Sequence, residues 1–276
     1  MPFTPTDTWR LLLTPPADGA TNMAIDEAVL DAVGEGLSAP TLRLYAWEPA
    51  CLSVGYAQPL DQVDRARLAQ RGWGLVRRPT GGRAILHADE LTYSVIAPAS
   101  HPIVAGGVLP SYRRLSTALS ASLKEMGLLV ETHPEANPGD AERSNPICFE
   151  VPSAYELTVG GKKLVGSAQV RRRASVLQHG SLPLAGDLTR ILDGLHFDTP
   201  GERAAVMPRM IERAATVESL TGRLVTWERA AECWINGFKE ALDLAFRLDV
   251  LTLPEARRMK ELRSDRYQNP SWTERV

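Results

Sequence analysis

The sequence predicts an α/β domain (α+β in the sense of a mixed sheet) closed by a helical C-terminal portion. Three observations lead there. Short strand-like segments alternate with helical patterns over much of the chain. Gly160-Gly161 sits between two apolar segments and signals an antiparallel hairpin. From about residue 187 the apolar spacing becomes mostly helical.

In chain order, residues 9–13 read as the first strand. Asn22 is the expected N-cap of the first helix. Asp26 and Glu27 fall in its first turn, where carboxylates favour the positive helix end. Ile25, Ala28, Val29 and Ala32 recur at helical spacing. Segments 41–45 and 51–56 are strands separated by the turn at Glu48-Pro49. Residues 62–70 suit a short helix, 73–78 and 91–97 strands, and 112–126 a helix. Residues 134–147, with Pro134, Gly139 and Pro146 and no apolar period, are expected to form a mobile polar loop. Segments 155–159 and 163–165 flank the glycine pair, and 175–184 is a further strand. Ala231, Trp234, Ile235, Phe238, Leu242 and Ala245 form one apolar helix stripe, and Thr252 with Glu255 reads as a capping box opening a last helix. There is no internal repeat. One catalytic-size domain over 1–276 is expected, with a core of about 20–250 and a helical extension of about 251–276.

The charge balance is 31 basic against 33 acidic residues, a net of -2. Such a balance excludes a global field that would draw the chain to nucleic acid or an anionic membrane. Local anion binding stays open at Arg77-Arg78 and Arg171-Arg172-Arg173. Cys51, Cys148 and Cys233 are an odd number without metal-ligand spacing, so neither a disulfide framework nor a metal site is expected. The N-terminus lacks a signal-peptide layout, and no apolar run reaches the ~20 residues of a membrane span. These features predict a soluble cytoplasmic protein with reduced thiols.

Three segments could carry chemistry. In Arg77-Arg78-Pro79-Thr80-Gly81-Gly82-Arg83-Ala84-Ile85-Leu86-His87, consecutive glycines let backbone N–H groups approach a ligand, and arginines suit a phosphate or carboxylate. A tight turn with solvated arginines fits equally, and the spacing is not that of a Walker A loop. Cys148 follows the polar loop, where a bulky substrate could reach it, and becomes nucleophilic only beside a cation. It could equally be a small buried hydrophobe. Lys163 lies between Gly161 and Gly166, either facing a cleft or exposed on a strand.

The order of these segments resembles the lipoate-protein ligase, octanoyltransferase and biotin-ligase superfamily, and within it the LipM-type octanoyltransferases. The resemblance rests on Thr21 to Ala28, Tyr45-x-Trp47-x-Pro49, Ser53-Val54-Gly55-Tyr56 and Arg77 to Arg83. It continues through Leu91-Thr92-Tyr93-Ser94-Val95, Cys148-Phe149-x-x-Pro152-Ser153-x-Tyr155-Glu156, Gly161-x-Lys163-x-x-Gly166-Ser167-Ala168-Gln169 and Leu177-Gln178-His179-Gly180-Ser181. Tyr267 and Trp272 extend it to the tail.

The resemblance implies a lipoate/biotin ligase-like catalytic domain that transfers octanoyl from octanoyl-acyl carrier protein to a lysine of a lipoyl-accepting domain, such as glycine cleavage H protein. It implies Cys148 as acyl acceptor and Lys163 as the cation that lowers its pKa. Arg78, Gly81, Gly82, His87, Gly166, Ser167, Ala168, Gln169 and His179 become expected substrate-binding residues. Backbone N–H groups near 166–168, with Lys163, become expected oxyanion donors. No cofactor, ATP or metal is expected, because thioester exchange is nearly balanced and amide formation from a thioester is downhill. The competing readings are an ATP-dependent lipoate-protein ligase, an amidotransferase moving octanoyl between lipoyl domains, a non-catalytic carrier-binding protein and a biotin ligase. Cys148 separates the expected branch from the ligases, which carry an Asn-Asp type segment there.

Overall fold

The computed structural model describes residues 8–133, 156–172 and 174–276. The expected loop 134–147 and Cys148 lie outside the described residues.

The chain runs β1 (Thr8–Leu13), α1 (Gly19–Gly34), β2 (Thr41–Tyr45), β3 (Cys51–Val54), α2 (Arg65–Arg71), β4 (Gly74–Arg77), β5 (Ile85–His87), β6 (Glu90–Pro98), α3 (Val108–Glu125), β7 (Glu131–His133), β8 (Glu156–Val159), β9 (Lys162–Arg172) and β10 (Ser175–Pro183). Helices Pro200–Arg213, Val217–Thr221, Trp227–Leu242 and Leu253–Leu262 follow, with β11 (Ala245–Asp249) among them. Eight strands form one sheet in the order β11-β1-β2-β6-β10-β9-β8-β7, and β4-β3-β5 form a small second sheet. The large sheet is mixed: β1 pairs parallel with β11 and β2, while β2–β6, β6–β10 and β10–β9 are antiparallel. The predicted mixed-sheet class is therefore the observed one. β10 is buried along its whole length and β6 is nearly so, as central strands covered on both faces must be.

α1 departs from its expected start. Its N-cap is Asp18, whose carboxylate accepts from the Thr21 N–H at 2.6 Å, and Asn22 lies one turn inside. Asp26 and Glu27 are consequently mid-helix and buried, not in the first turn. The tertiary structure supplies the reason. Asn22 donates through Nδ2 to the carbonyls of Ala17 and Ala46, and its Oδ1 accepts from Arg43 Nη2 at 2.7 Å. Its polar atoms are satisfied across the fold, so it has no need of a capping role. α1 packs against β6, β10, β4 and the helix Leu253–Leu262, so it is buried almost all round.

A second departure concerns Ala245. The stripe Ala231, Trp234, Phe238 and Leu242 is buried, with the helix lying against α3, but the helix ends at Leu242 with Asp243 in the left-handed region (φ 51°). Ala245 starts β11, which covers the otherwise open edge of β1. Strands β5, β7 and β11 were not anticipated, and β9 runs well beyond its expected 163–165. Gly237 permits the close helix contact, since a Cβ there would stand 2.2 Å from Ser122 Oγ.

The capping box of Thr252 and Glu255 is present as expected. Glu255 also accepts from Arg10 on β1 at 2.7 and 3.0 Å, with both side chains buried. Farther on, Tyr267 donates its hydroxyl to Glu27, which also pairs with Arg172 and Arg266. Trp272 donates its indole N–H to the Arg77 carbonyl at 2.9 Å. Among the described residues no helix is long and apolar enough to cross a membrane.

Candidate active site

A cavity opens between the small sheet and one face of the large one. The small sheet and its glycine turn contribute Ser53, Arg78, Gly82, Ile85 and His87. Opposite stand Gly166, Ser167 and Ala168 of β9, His179, Gly180 and Ser181 of β10, and Thr92 of β6. Met23, Tyr45 and Trp47 complete the wall.

The turn needs its glycines for a specific reason. Gly82 adopts φ 93°, and a Cβ on Gly55 would lie 2.0 Å from the Gly82 carbonyl oxygen. Only hydrogen fits at that approach. Arg78 braces the turn from inside: Nη1 donates to the Ser53 carbonyl and hydroxyl at 3.1 Å each, and Nη2 to the carbonyls of Gly81 and Arg83 at 2.9 and 2.7 Å. Arg77, fully buried, donates to the carbonyls of Gly55, Gln58 and Thr273. Arg77 and Arg78 are thus buried struts, where the sequence suggests either a ligand clamp or solvated side chains.

Two imidazoles face the cavity, each held at both nitrogens. His87 Nδ1 meets Glu90 at 2.7 Å and its Nε2 meets Ser53 Oγ at 2.7 Å, while Trp47 stacks on the ring at 4.0 Å. His179 Nδ1 meets Asp26 at 3.1 Å and its Nε2 meets Thr80 Oγ1 at 2.7 Å. Each ring thus has both nitrogens engaged by protein groups, a carboxylate oxygen at Nδ1 and a hydroxyl at Nε2.

Asp26 is the hub behind this wall. It accepts from Arg43 Nη1 at 2.7 Å, from Ser94 Oγ at 2.8 Å and from Tyr45 OH at 3.1 Å, and both members of the Asp26–Arg43 pair are fully buried. Burial alone would raise the Asp26 pKa, but Arg43, His179 and Ser94 together hold it below the ordinary carboxylate value. Burial lowers His179 despite the opposing pull of Asp26.

Both depressed pKa values have the same sign for stability. Below the ordinary histidine value of 6.5 the unfolded chain takes up a proton that folded His179 refuses, so stability falls as pH falls from there. Asp26 adds a further loss at more acid pH, as it is protonated through its depressed folded value. The melting temperature is expected to decline between pH ~6.5 and 5, and the decline should flatten in His179→Gln. A pH-independent melting temperature over that range would contradict the assignment.

Of the residues expected from sequence, Arg78, Gly82, His87, Gly166, Ser167, Ala168 and His179 share this cavity. Gly81 is in the turn, its carbonyl bound by Arg78. Gln169 is not in the lining; its side chain engages Ser111, Gln178 and Arg171. Lys163 is buried on β9, three residues before Gly166, with its carbonyl accepting from the Ala215 N–H at 3.1 Å. Cys148 lies outside the described residues. Sequence reasoning missed Tyr45, Trp47, Ser53, Thr92 and Ser181 as wall residues, although all five stand in the segments that carry the resemblance. Among the described residues no group of three or more His, Cys, Asp or Glu converges as a metal site.

The family described as lipoyl protein ligase A/B catalytic domain matches residues 18–239. An octanoyltransferase LipM of Moorella thermoacetica is 43% identical over 272 residues, covering 98% of this chain and 99% of that protein. Among solved structures, a bi-partite lipoate protein ligase from Thermoplasma acidophilum superposes with a TM-score of 0.80 at 25% identity, over 98% of this chain and 97% of that one. A lipoate-protein ligase A bound with ATP gives a TM-score of 0.76 at 26% identity, over 97% and 98%.

Proposed function

This chain belongs to the LipM octanoyltransferases, within the lipoyl protein ligase A/B catalytic-domain family, and from that premise we propose that it works through an octanoyl thioester on Cys148. It is an acyltransferase of lipoate biosynthesis, and its acceptor is a lipoyl-accepting protein. The finer steps are our reading. Cys148 thiolate attacks the octanoyl thioester of acyl carrier protein and expels the carrier's thiol. A lysine amine on a lipoyl domain, such as that of glycine cleavage H protein, then attacks the acyl-enzyme; an amide forms and the Cys148 thiol leaves. Lys163 favours the thiolate by placing an ammonium near it. Residues 1–276 act as one catalytic domain; the Arg10–Glu255 and Glu27–Tyr267 contacts support including the 251–276 extension. The enzyme works in the cytoplasm, where its thiols stay reduced.

The observation that carries this reading is the cavity facing Gly166–Ala168 on the strand that bears Lys163. The guanidinium and imidazole groups on its wall are already hydrogen-bonded to protein, and Met23, Ile85, Gly166, Ala168 and Gly180 supply apolar or bare surface for an alkyl chain. Each methylene buried there would contribute about 0.8 kcal/mol. The fold itself is shared with a lipoate-protein ligase A bound with ATP, so the test varies the ATP supply and the acyl donor.

Protein mixed with octanoyl-acyl carrier protein and no ATP should gain one octanoyl group by intact mass. Hydroxylamine should remove it, and Cys148→Ala should not acquire it. Acceptor-domain octanoylation obtained only from free octanoate plus ATP would make the chain a ligase. An adduct formed only from an octanoylated lipoyl domain would make it an amidotransferase.

A further inference from the structure

Among the described residues, every side-chain hydroxyl on the cavity wall is engaged within the protein, with a single exception. Ser53 bonds His87 and Arg78, Tyr45 bonds Asp26, Ser167 bonds Tyr93, and Thr92 is held between Glu90 and the Trp47 indole. Ser181 is 1% exposed, faces the cavity, and its Oγ has no hydrogen-bond partner among the described residues. Leaving such a buried hydroxyl unmatched carries a desolvation cost. A side chain with that cost asks what it binds.

Its place in the sheet narrows the answer. Ser181 is paired with Gly166 on β9 and with Thr92 on β6. His179, which is tied to Asp26, is paired with Ala168, two residues farther from Lys163 along β9. Ser181 therefore belongs to the row nearer Lys163, and Gly166, lacking a side chain, lines the same cavity beside it. An octanoyl thioester offers its carbonyl oxygen as its one good hydrogen-bond acceptor.

We propose that Ser181 Oγ–H donates to the acyl carbonyl oxygen and stabilises the oxyanion that forms there when the thioester is attacked. The inference rests on the thioester reading above. In the step itself the attacking sulfur forms the new C–S bond, the carbonyl electron pair moves onto oxygen, and Ser181 keeps its proton while hydrogen-bonding that oxygen. The pair then returns as the donor thiolate leaves. Gly166 and Ala168 flank the site as small neighbours, and among the described wall residues Ser181 alone has a hydroxyl with no protein partner.

The test uses the full-length enzyme with octanoyl-acyl carrier protein, comparing wild type and Ser181→Ala. Acyl-enzyme formation should slow about a hundredfold, the order seen when one oxyanion donor is removed, with little change in KM. The melting temperature should hold or rise, because the substitution removes an unmatched buried hydroxyl. The carbonyl stretch of the 13C-labelled acyl-enzyme should shift to higher wavenumber in Ser181→Ala, which a purely structural role would not produce. Ser181→Thr, which keeps the hydroxyl, should recover a large part of the rate. Equal acylation rates with an unshifted stretch would overturn this inference alone. Failure of the wild type to form any thioester adduct would overturn the thioester reading, and this inference with it.

Discussion

Lys163→Met is expected to slow acyl-enzyme formation about a hundredfold at neutral pH, the scale of a lost acid–base group. The pH profile should also move toward that of an ordinary cysteine. An unperturbed thiol near pKa ~8.5 is only a few per cent thiolate at pH 7. A nearby ammonium raises that fraction, and its removal gives the advantage back. Rates of octanoyl adduct formation from pH 6 to 10 test both parts. The variant should regain much of its deficit at alkaline pH, where the thiol ionises unaided. A uniform loss at every pH would assign Lys163 to oxyanion binding, and an unchanged rate would remove it from the mechanism. Methionine keeps the length and apolar stem of the buried lysine, so the comparison removes the ammonium with little change in packing.

Arg43→Met should be the most damaging single change to stability among the buried polar groups. Arg43 is fully buried and donates to Asp26, to the Asn22 side chain and carbonyl, and to Thr14 Oγ1. Its guanidinium also lies 3.8 Å from the Tyr45 ring centroid. Removing it strands the Asp26 carboxylate in the interior, a loss of about 3–5 kcal/mol. For a chain of this size that corresponds to a melting temperature lower by roughly 10 °C. Neutralising the stranded partner should recover part of the loss, so Asp26→Asn/Arg43→Met should be less destabilised than the two single losses combined. Strict additivity in thermal or urea melts would show that the pair is not coupled.

The local code accounts for much of the fold. Strands at β1, β2, β6 and β10, the α3 helix, the Gly160-Gly161 hairpin and the Thr252–Glu255 box all depend on neighbours in sequence, so periodicity and capping chemistry exposed them. β5, β7 and β11 are short, and two of them pair across long sequence separations: β5 with β3, and β11 with β1. Their existence depends on a waiting sheet edge, not on their own residues. Asn22 shows the same limit from the other side. Its local chemistry is that of an N-cap, but Ala17, Ala46 and Arg43 satisfy it better in three dimensions.

The candidate site divides in the same way. The glycine turn, His87, His179 and the 166–168 strand were legible because their residue types are unusual at such spacing and recur in a recognisable order. Ser53, Thr92 and Ser181 were not, since a serine or threonine in a strand carries no local mark of what faces it. By itself the sequence determined the mixed α/β class, the family and the order of the chemical segments, because these are properties of local pattern and of motifs in series. The tertiary structure alone decided which polar groups are already satisfied. Arg78 became a brace, His87 and His179 became wall residues held at both ring nitrogens, and Ser181 kept an unspent hydroxyl. Hydrogen bonding is settled by distances of about 3 Å between residues far apart in the chain, and no one-dimensional pattern records those distances.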